Sequence, residues 1–169
     1  MRYIILTPWK ISRNSVLFNC IQDFVNRSSH YISLQHIYPS HALSSEQHTQ
    51  FYCKELKKLS VENPLCIALD ENGKQLSSDG FAKELSYYEL HGEKAIVFCV
   101  GGAYGLPQEI VKLGRFRSIS LSSMTLPHEM ALAVLVEQIY RARCIIASHP
   151  YHHADLSAFS KAISVRSSK

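Results

Sequence analysis

Short runs of apolar residues alternate along this chain with stretches in which apolar positions recur every three or four residues. Tyr3 to Leu6 is the first run and reads as a strand ended by Pro8. Val16 to Val25 carries Leu17, Cys20, Ile21 and Phe24 at helical spacing, which predicts an amphipathic helix. Tyr31 to Tyr38 reads as a second strand before Pro39. Ser44 or Ser45 can cap a helix that runs to Leu59 and turns Phe51, Cys53, Leu56 and Leu59 inward. Leu65 to Leu69 is a continuous apolar run, hence a buried strand, with Asp70-Glu71-Asn72-Gly73 as the turn that ends it. A helix is predicted from Ser78 through Phe81, Leu85, Tyr88 and Leu90, then a buried strand from Ala95 to Val100 that empties into Gly101-Gly102. A short helix after Pro107 and a last central strand from Phe116 to Leu121 follow. This alternation argues for an α/β fold: a Rossmann-like, mostly parallel sheet with helices on both faces.

The end of the series is unusual. The loop Ser122-Ser123-Met124-Thr125-Leu126-Pro127-His128 has little charge but many hydroxyls and backbone donors, which suits a neutral hydrogen-bonding pocket better than a solvated turn. The helix that follows, Glu129 to Arg143, is apolar almost all round between Met130 and Val136. A surface helix would show a polar face there, so cover on two sides is expected, the second most easily from a partner subunit.

Composition narrows the class. A chain of 169 residues, 46% hydrophobic and 19% charged, fits one globular domain with a sizeable core. The five cysteines, Cys20, Cys53, Cys66, Cys99 and Cys144, are odd in number, widely spaced and without a CxxC pair. They read as reduced residues of a cytoplasmic protein rather than as metal ligands or disulfides. No apolar run reaches the roughly 20 residues that span a bilayer. Met1 to Trp9 lacks the longer apolar region and cleavage site of a signal peptide. The net charge of +4 permits an RNA partner without requiring one.

Several groups could carry chemistry. Gly101-Gly102-x-x-Gly105 follows a buried strand, where open α/β sheets bind ligands, and glycine lets backbone amides approach closely. It is neither a GxGxxG fingerprint nor a phosphate loop, and a tight turn is the plain alternative. His149, His152 and His153 crowd together, but no carboxylate or cysteine stands at a matching ligand spacing, so no metal is expected. Glu137 and Arg141 have the spacing of an ordinary helix-surface ion pair. His41 and His48 read as solvated. Arg115, Arg117 and Arg143 with Lys10 and Arg13 could form a phosphate-binding patch in a dimer, or simply face water.

Four of these elements, in order, carry a resemblance: Gly101-Gly102-Ala103-Tyr104-Gly105-Leu106, Leu121 to His128, Glu137-Gln138-Ile139-Tyr140-Arg141-Ala142, and Pro150-Tyr151-His152. Together they resemble the signature of the RlmH family, the smallest SPOUT-class RNA methyltransferases. The resemblance implies S-adenosylmethionine-dependent methylation of N3 of a pseudouridine in large-subunit ribosomal RNA, by a homodimer acting on RNA or the ribosome. It also implies a SPOUT (α/β-knot) fold over residues 1–153, with a C-terminal trefoil knot that forms the cofactor pocket. Residues 154–169 would then be an extension beyond the usual family end. The implied cofactor wall is Leu69, Asp70, Gly101, Gly102, Gly105, Leu121, Ser122, Ser123, Met124, Thr125, Leu126 and Pro127. His152, Tyr151, His128 and Arg141 are the expected catalytic set, since a neutral imidazole can accept the N3 proton; for His128, helix N-terminal packing is an equal reading.

The chain also departs from that family. Leu132 stands where an arginine is usual, Thr7-Pro8-Trp9-Lys10 replaces a Gly-Lys-type turn, and His153 follows Tyr-His where a basic residue is usual. Two other readings therefore stand beside the first. One is an RNA- or ribosome-binding protein of the same fold with impaired turnover. The other is a Rossmann-like enzyme with a nucleotide cofactor.

Overall fold

The computed structural model describes residues 1–37, 45–59, 61, 64–102, 106 and 115–151. Gly105, the helix expected after Pro107, His41, the side chain of His48, His152, His153 and residues 154–169 lie outside the described residues. In chain order the elements are β1 (Arg2–Thr7), α1 (Phe18–Arg27), β2 (Ile32–His36), α2 (Ser45–Lys58) and β3 (Leu65–Gln75). They continue with α3 (Ser78–Leu90), β4 (Ala95–Cys99), β5 (Phe116–Ser120) and α4 (His128–Ile146).

The five strands form one sheet in the order β2-β1-β4-β3-β5, and every pair is parallel. From β1 the chain leaves towards β2, and from its neighbour β4 it leaves towards β5 at the opposite edge. Such a reversal opens a crevice at the carboxyl ends of the strands. Parallel strands covered on both faces read as near-continuous apolar runs, as Tyr3–Leu6, Leu65–Leu69 and Ala95–Val100 do. Tyr3, Ile5, Ile67, Ile96, Phe98 and Ile119 face α1, α3 and α4. Ile4, Leu6, Cys66, Ala68, Val97, Cys99 and Phe116 fill the other face, with Phe51, Tyr52 and Leu56 of α2 packed on them. Each large aliphatic or phenyl side chain so buried contributes about 1.5–3 kcal/mol.

Helix α4 buries Leu132, Ala133, Leu135, Val136, Ile139, Ala142 and Cys144. It lies against both α1 and α3 as well as the sheet, so much of its wide apolar arc is covered within the chain. The part of the arc left at least partly open includes Met130 and Val134. Leu132 is fully buried in the core, so a packing group occupies the position where the family usually carries a cation. Leu90, the last residue of α3, is 82% exposed. It follows Leu85 by five residues, about 140° further round the helix, which turns it away from the core.

The third strand differs from the sequence reading. Leu69 pairs with Ile119, and so does Lys74, with Gln75 opposite Ser120. Asp70 to Gly73 therefore leave the ladder as a bulge, and the strand resumes beyond them instead of ending there. Asn72 N–H donates to Asp70 Oδ1 at 2.9 Å, which tightens the bulge. Gly73 lies directly on β5: a Cβ there would sit 2.5 Å from the carbonyl carbon of Ile119 and 2.7 Å from its nitrogen. Main-chain atoms paired into a sheet cannot step aside as a flexible side chain can. Gly73→Ala should thus lower stability by about 1–3 kcal/mol through overpacking, read as a drop in the thermal unfolding midpoint.

Candidate active site

A cavity of about 720 Å³ opens at the carboxyl ends of β3, β4 and β5. Its walls come from three separate stretches: Leu69–Asn72, Val100–Gly102 with Leu106, and Ile119–Ser122 continuing through Met124–His128 to Ala131. Of the cofactor-wall residues expected from the sequence, Leu69, Asp70, Gly101, Gly102, Leu121, Ser122, Met124, Thr125, Leu126 and Pro127 line this one space. Ser123 is exposed and is not among the lining residues, and Gly105 lies outside the described residues.

Sequence reasoning missed Glu71, Asn72, Val100, Leu106, Ile119, Ser120 and Ala131, which also line the cavity. Most of these adjoin residues that were named. The bulge was the hidden feature, because a polar Asp-Glu-Asn-Gly run reads equally well as a solvated turn. It makes the wall more acidic than expected, with Asp70 and Glu71 both present.

Local hydrogen bonds shape the second wall. Ser120 Oγ donates to the Ser122 carbonyl at 2.7 Å, and Met124 N–H donates to Ser122 Oγ at 2.9 Å. These side chain–backbone bonds turn the chain sharply after β5, as serine does well. Thr125 Oγ1 donates to Glu71 Oε2 at 3.1 Å, tying this loop to the β3 bulge. Pro127 occupies the N-cap of α4 and offers no side-chain cap, while its carbonyl accepts from Ala131 N–H at 2.9 Å. On the opposite wall, a Cβ built on Gly102 would meet, among the described residues, only Pro8 Cγ within 4 Å, at 3.6 Å.

His128 begins α4 and lines the cavity, with its ring edge-on to Trp9 at 4.5 Å and 81°. Arg141 and Tyr151 do not join it. At 1.5 Å per residue, Arg141 stands about 20 Å further along α4. There Glu137 Oε1 accepts from Arg141 Nε at 2.9 Å, from its Nη2 at 2.5 Å and from Tyr151 Oη at 3.1 Å. Gln138 Nε2 donates to Glu137 Oε2 at 2.7 Å, and the Arg141 guanidinium lies 5.0 Å from the centre of the Tyr151 ring. Glu137 and Arg141 thus form more than a simple surface pair. Partial burial raises the Tyr151 hydroxyl above its usual range, the Glu137 carboxylate raises it further, and Arg141 opposes both.

Two of the five cations of the expected patch are engaged within the chain. Arg143 donates to Glu89 at 2.7 Å, and Arg115 pairs with Glu93. Lys10 and Arg13, both exposed, have no ion-pair partner among the described residues. Of the cysteines, Cys66, Cys99 and Cys144 are buried while Cys20 is exposed, and burial pushes the Cys66 thiol up to about 12. Among the described residues no cluster of His, Cys, Asp and Glu could hold a metal ion, and no helix is long and apolar enough to cross a membrane.

A family described as "Predicted SPOUT methyltransferase" matches residues 1–152. Curated relatives agree with it. The chain is 39% identical to ribosomal RNA large subunit methyltransferase H of Flavobacterium johnsoniae over 146 residues, 83% of this chain and 92% of that one. It is 34% identical over 160 residues to the protein of the same name from Acetivibrio thermocellus, 90% of this chain and 99% of that one. The protein of that name from Campylobacter lari is 51% identical over 87 residues, 52% of this chain and 54% of the other.

The Glu137 cluster can be tested by titration. In Glu137→Gln the carboxylate that disfavours the tyrosinate is gone, and Arg141 is left to favour it. The Tyr151 pKa should fall towards the ordinary tyrosine value, followed by NMR of its ring signals against pH. An unchanged titration would remove Glu137 as a cause of the shift.

Proposed function

The chain belongs to the SPOUT methyltransferase family, and we propose that it transfers a methyl group from S-adenosylmethionine to N3 of a pseudouridine in large-subunit ribosomal RNA. The observation that carries this reading is the single cavity shared by Gly102 and the 121–127 loop, which are far apart along the chain. Its volume falls within the roughly 300–1,000 Å³ of small-molecule sites.

The residues present fit such a donor. Gly101 and Gly102 add no side chain to the wall they share with Val100 and Leu106, and Leu69, Leu121 and Leu126 supply apolar contact. Backbone groups of the loop, with Ser122 and Thr125, supply hydrogen bonding. Asp70 and Glu71 place negative charge beside a cationic ligand. When bound, S-adenosylmethionine supplies a methyl group already activated by its sulfonium. The protein therefore has to orient the acceptor, exclude water and take the N3 proton. His128 is the imidazole at the cavity, and a ring nitrogen of its neutral form can accept that proton.

A homodimer belongs to the same reading. Arg141 and Tyr151 are held away from their own cavity by the length of α4. A second copy could present them there, with the Met130 and Val134 strip covered in the contact. The trefoil knot is also part of this proposal, tied around the cavity by the C-terminal segment, as is a cytoplasmic location with the ribosome. Residues 1–153 would form the methyltransferase domain and 154–169 an appended tail. Lys10 and Arg13, exposed and without an ion pair among the described residues, are cations that could meet RNA phosphates.

Tritiated methyl incorporation into ribosomes tests the activity directly, and sedimentation tests the dimer. Gly102→Asp should abolish S-adenosylmethionine binding by calorimetry while the protein stays folded, since among the described residues a Cβ there meets only Pro8, at an ordinary distance. Retained affinity in the folded variant would move the donor elsewhere. His152→Ala should lower methyl transfer far more than donor affinity, whereas equal losses would make His152 structural.

A further inference from the structure

The turn after β1, where this chain departs from its family, is tied to the cavity through one aromatic contact. Thr7 ends β1 and is fully buried. Its hydroxyl donates to the Trp9 carbonyl at 2.8 Å and lies 2.8 Å from His36 Nδ1 at the end of β2. A hydroxyl has a single proton, here committed to Trp9, so the His36 nitrogen must supply the hydrogen of the second bond. Burial lowers the His36 pKa, in keeping with a neutral ring donating from Nδ1. The Pro8–Trp9 turn is thus clamped at its base. It sets Pro8 against Gly102 on one side and the Trp9 indole against His128 on the other.

No hydrogen bond to another described residue fixes the His128 ring, and the Trp9 contact is its one aromatic neighbour among them. Rotation about the last torsion of a histidine is broad and roughly two-fold. Some other restraint has to decide which ring nitrogen faces the cavity. Trp9 is packed on the core, and its Nε1 is buried without a hydrogen-bond partner among the described residues. The indole is therefore held by what its ring touches.

We propose that Trp9 is a positioning residue for His128, setting the imidazole orientation through their perpendicular contact, with Thr7 and His36 anchoring the turn that carries it. The catalytic part of this inference rests on the function proposed above. The positioning part can be read without it.

Two variants test it. Trp9→Leu keeps apolar bulk and removes the aromatic ring, and Trp9→Phe keeps a ring. Long-range imidazole nitrogen–proton NMR spectra of the whole ligand-free protein report the His128 tautomer and environment. Trp9→Leu should shift those signals, and Trp9→Phe should largely restore them. In methyl transfer to ribosomes, Trp9→Leu should lose about tenfold or more in kcat, within the range of a mispositioned acid–base group. Its S-adenosylmethionine Kd should stay within about twofold, so that the loss is in turnover rather than donor binding. Added to His128→Ala, it should cost little more, as expected for residues acting as a unit.

Unchanged His128 signals in Trp9→Leu would overturn the proposal. So would losses that multiply in the double variant, a donor Kd that rises in step with the lost turnover, or a Trp9→Phe as impaired as Trp9→Leu. If Trp9→Leu does not fold, Thr7→Val removes the clamp and should move the same signals, with no movement overturning the idea. Absent methyl transfer by the unaltered protein, with His128 signals that still respond to Trp9, would sink the proposed function and leave the positioning intact.

Discussion

Gly73 lies flat against the main chain of Ile119, and much of the cavity's architecture depends on that contact. It lets β3 return to β5 after Asp70 to Gly73 have left the ladder, so both partners of Ile119 come from one strand. The expelled residues form a cavity wall instead of a solvated turn. Glu71 then accepts from Thr125, which ties the bulge to the 121–127 loop. That loop leads into Pro127 and the first turn of α4, and hence sets the position of His128. A close backbone approach in the sheet is thereby passed, through one hydroxyl–carboxylate bond, to the imidazole at the cavity.

Helix α4 separates two kinds of polar group. At its start His128 meets the cavity, and near its end Glu137 gathers Arg141 and Tyr151. A helix packed along its length on a sheet and two other helices behaves as a rod. No rotamer change spans a gap of about 20 Å. Under the proposed function, that rigidity is the physical argument for a second copy, because chemistry on a base needs more than a cavity with one imidazole among the described residues. The acidic bulge fits the same reading, since two carboxylates beside a cavity favour a cationic ligand over an anionic one.

The amino-acid sequence by itself determined the class of fold and the location of most of the cavity. Apolar runs too short for helices, alternating with amphipathic stretches, admit little besides a parallel sheet covered on both faces. Glycines after β4 and hydroxyls after β5 stand at strand ends, where such a sheet leaves space, and both line the cavity. These features are legible because they rest on local spacing and on the chemistry of single residues.

Other features were decided by contacts between distant segments. Asp70 to Gly73 has the composition of a turn, and only the register of β3 against β5 makes it a bulge. The breadth of the apolar arc on α4 pointed to cover from two sides, but the order in which α1 and α3 pack beside it determines that most of that cover is internal. Arg143 and Arg115 were available on paper for a phosphate patch, and the folded chain brings Glu89 and Glu93 to them. Trp9 and His128, more than a hundred residues apart, meet only because β1 and α4 share one end of the sheet. Strand order, register and helix packing are set by the lowest free energy of the whole chain, and no local pattern encodes that sum.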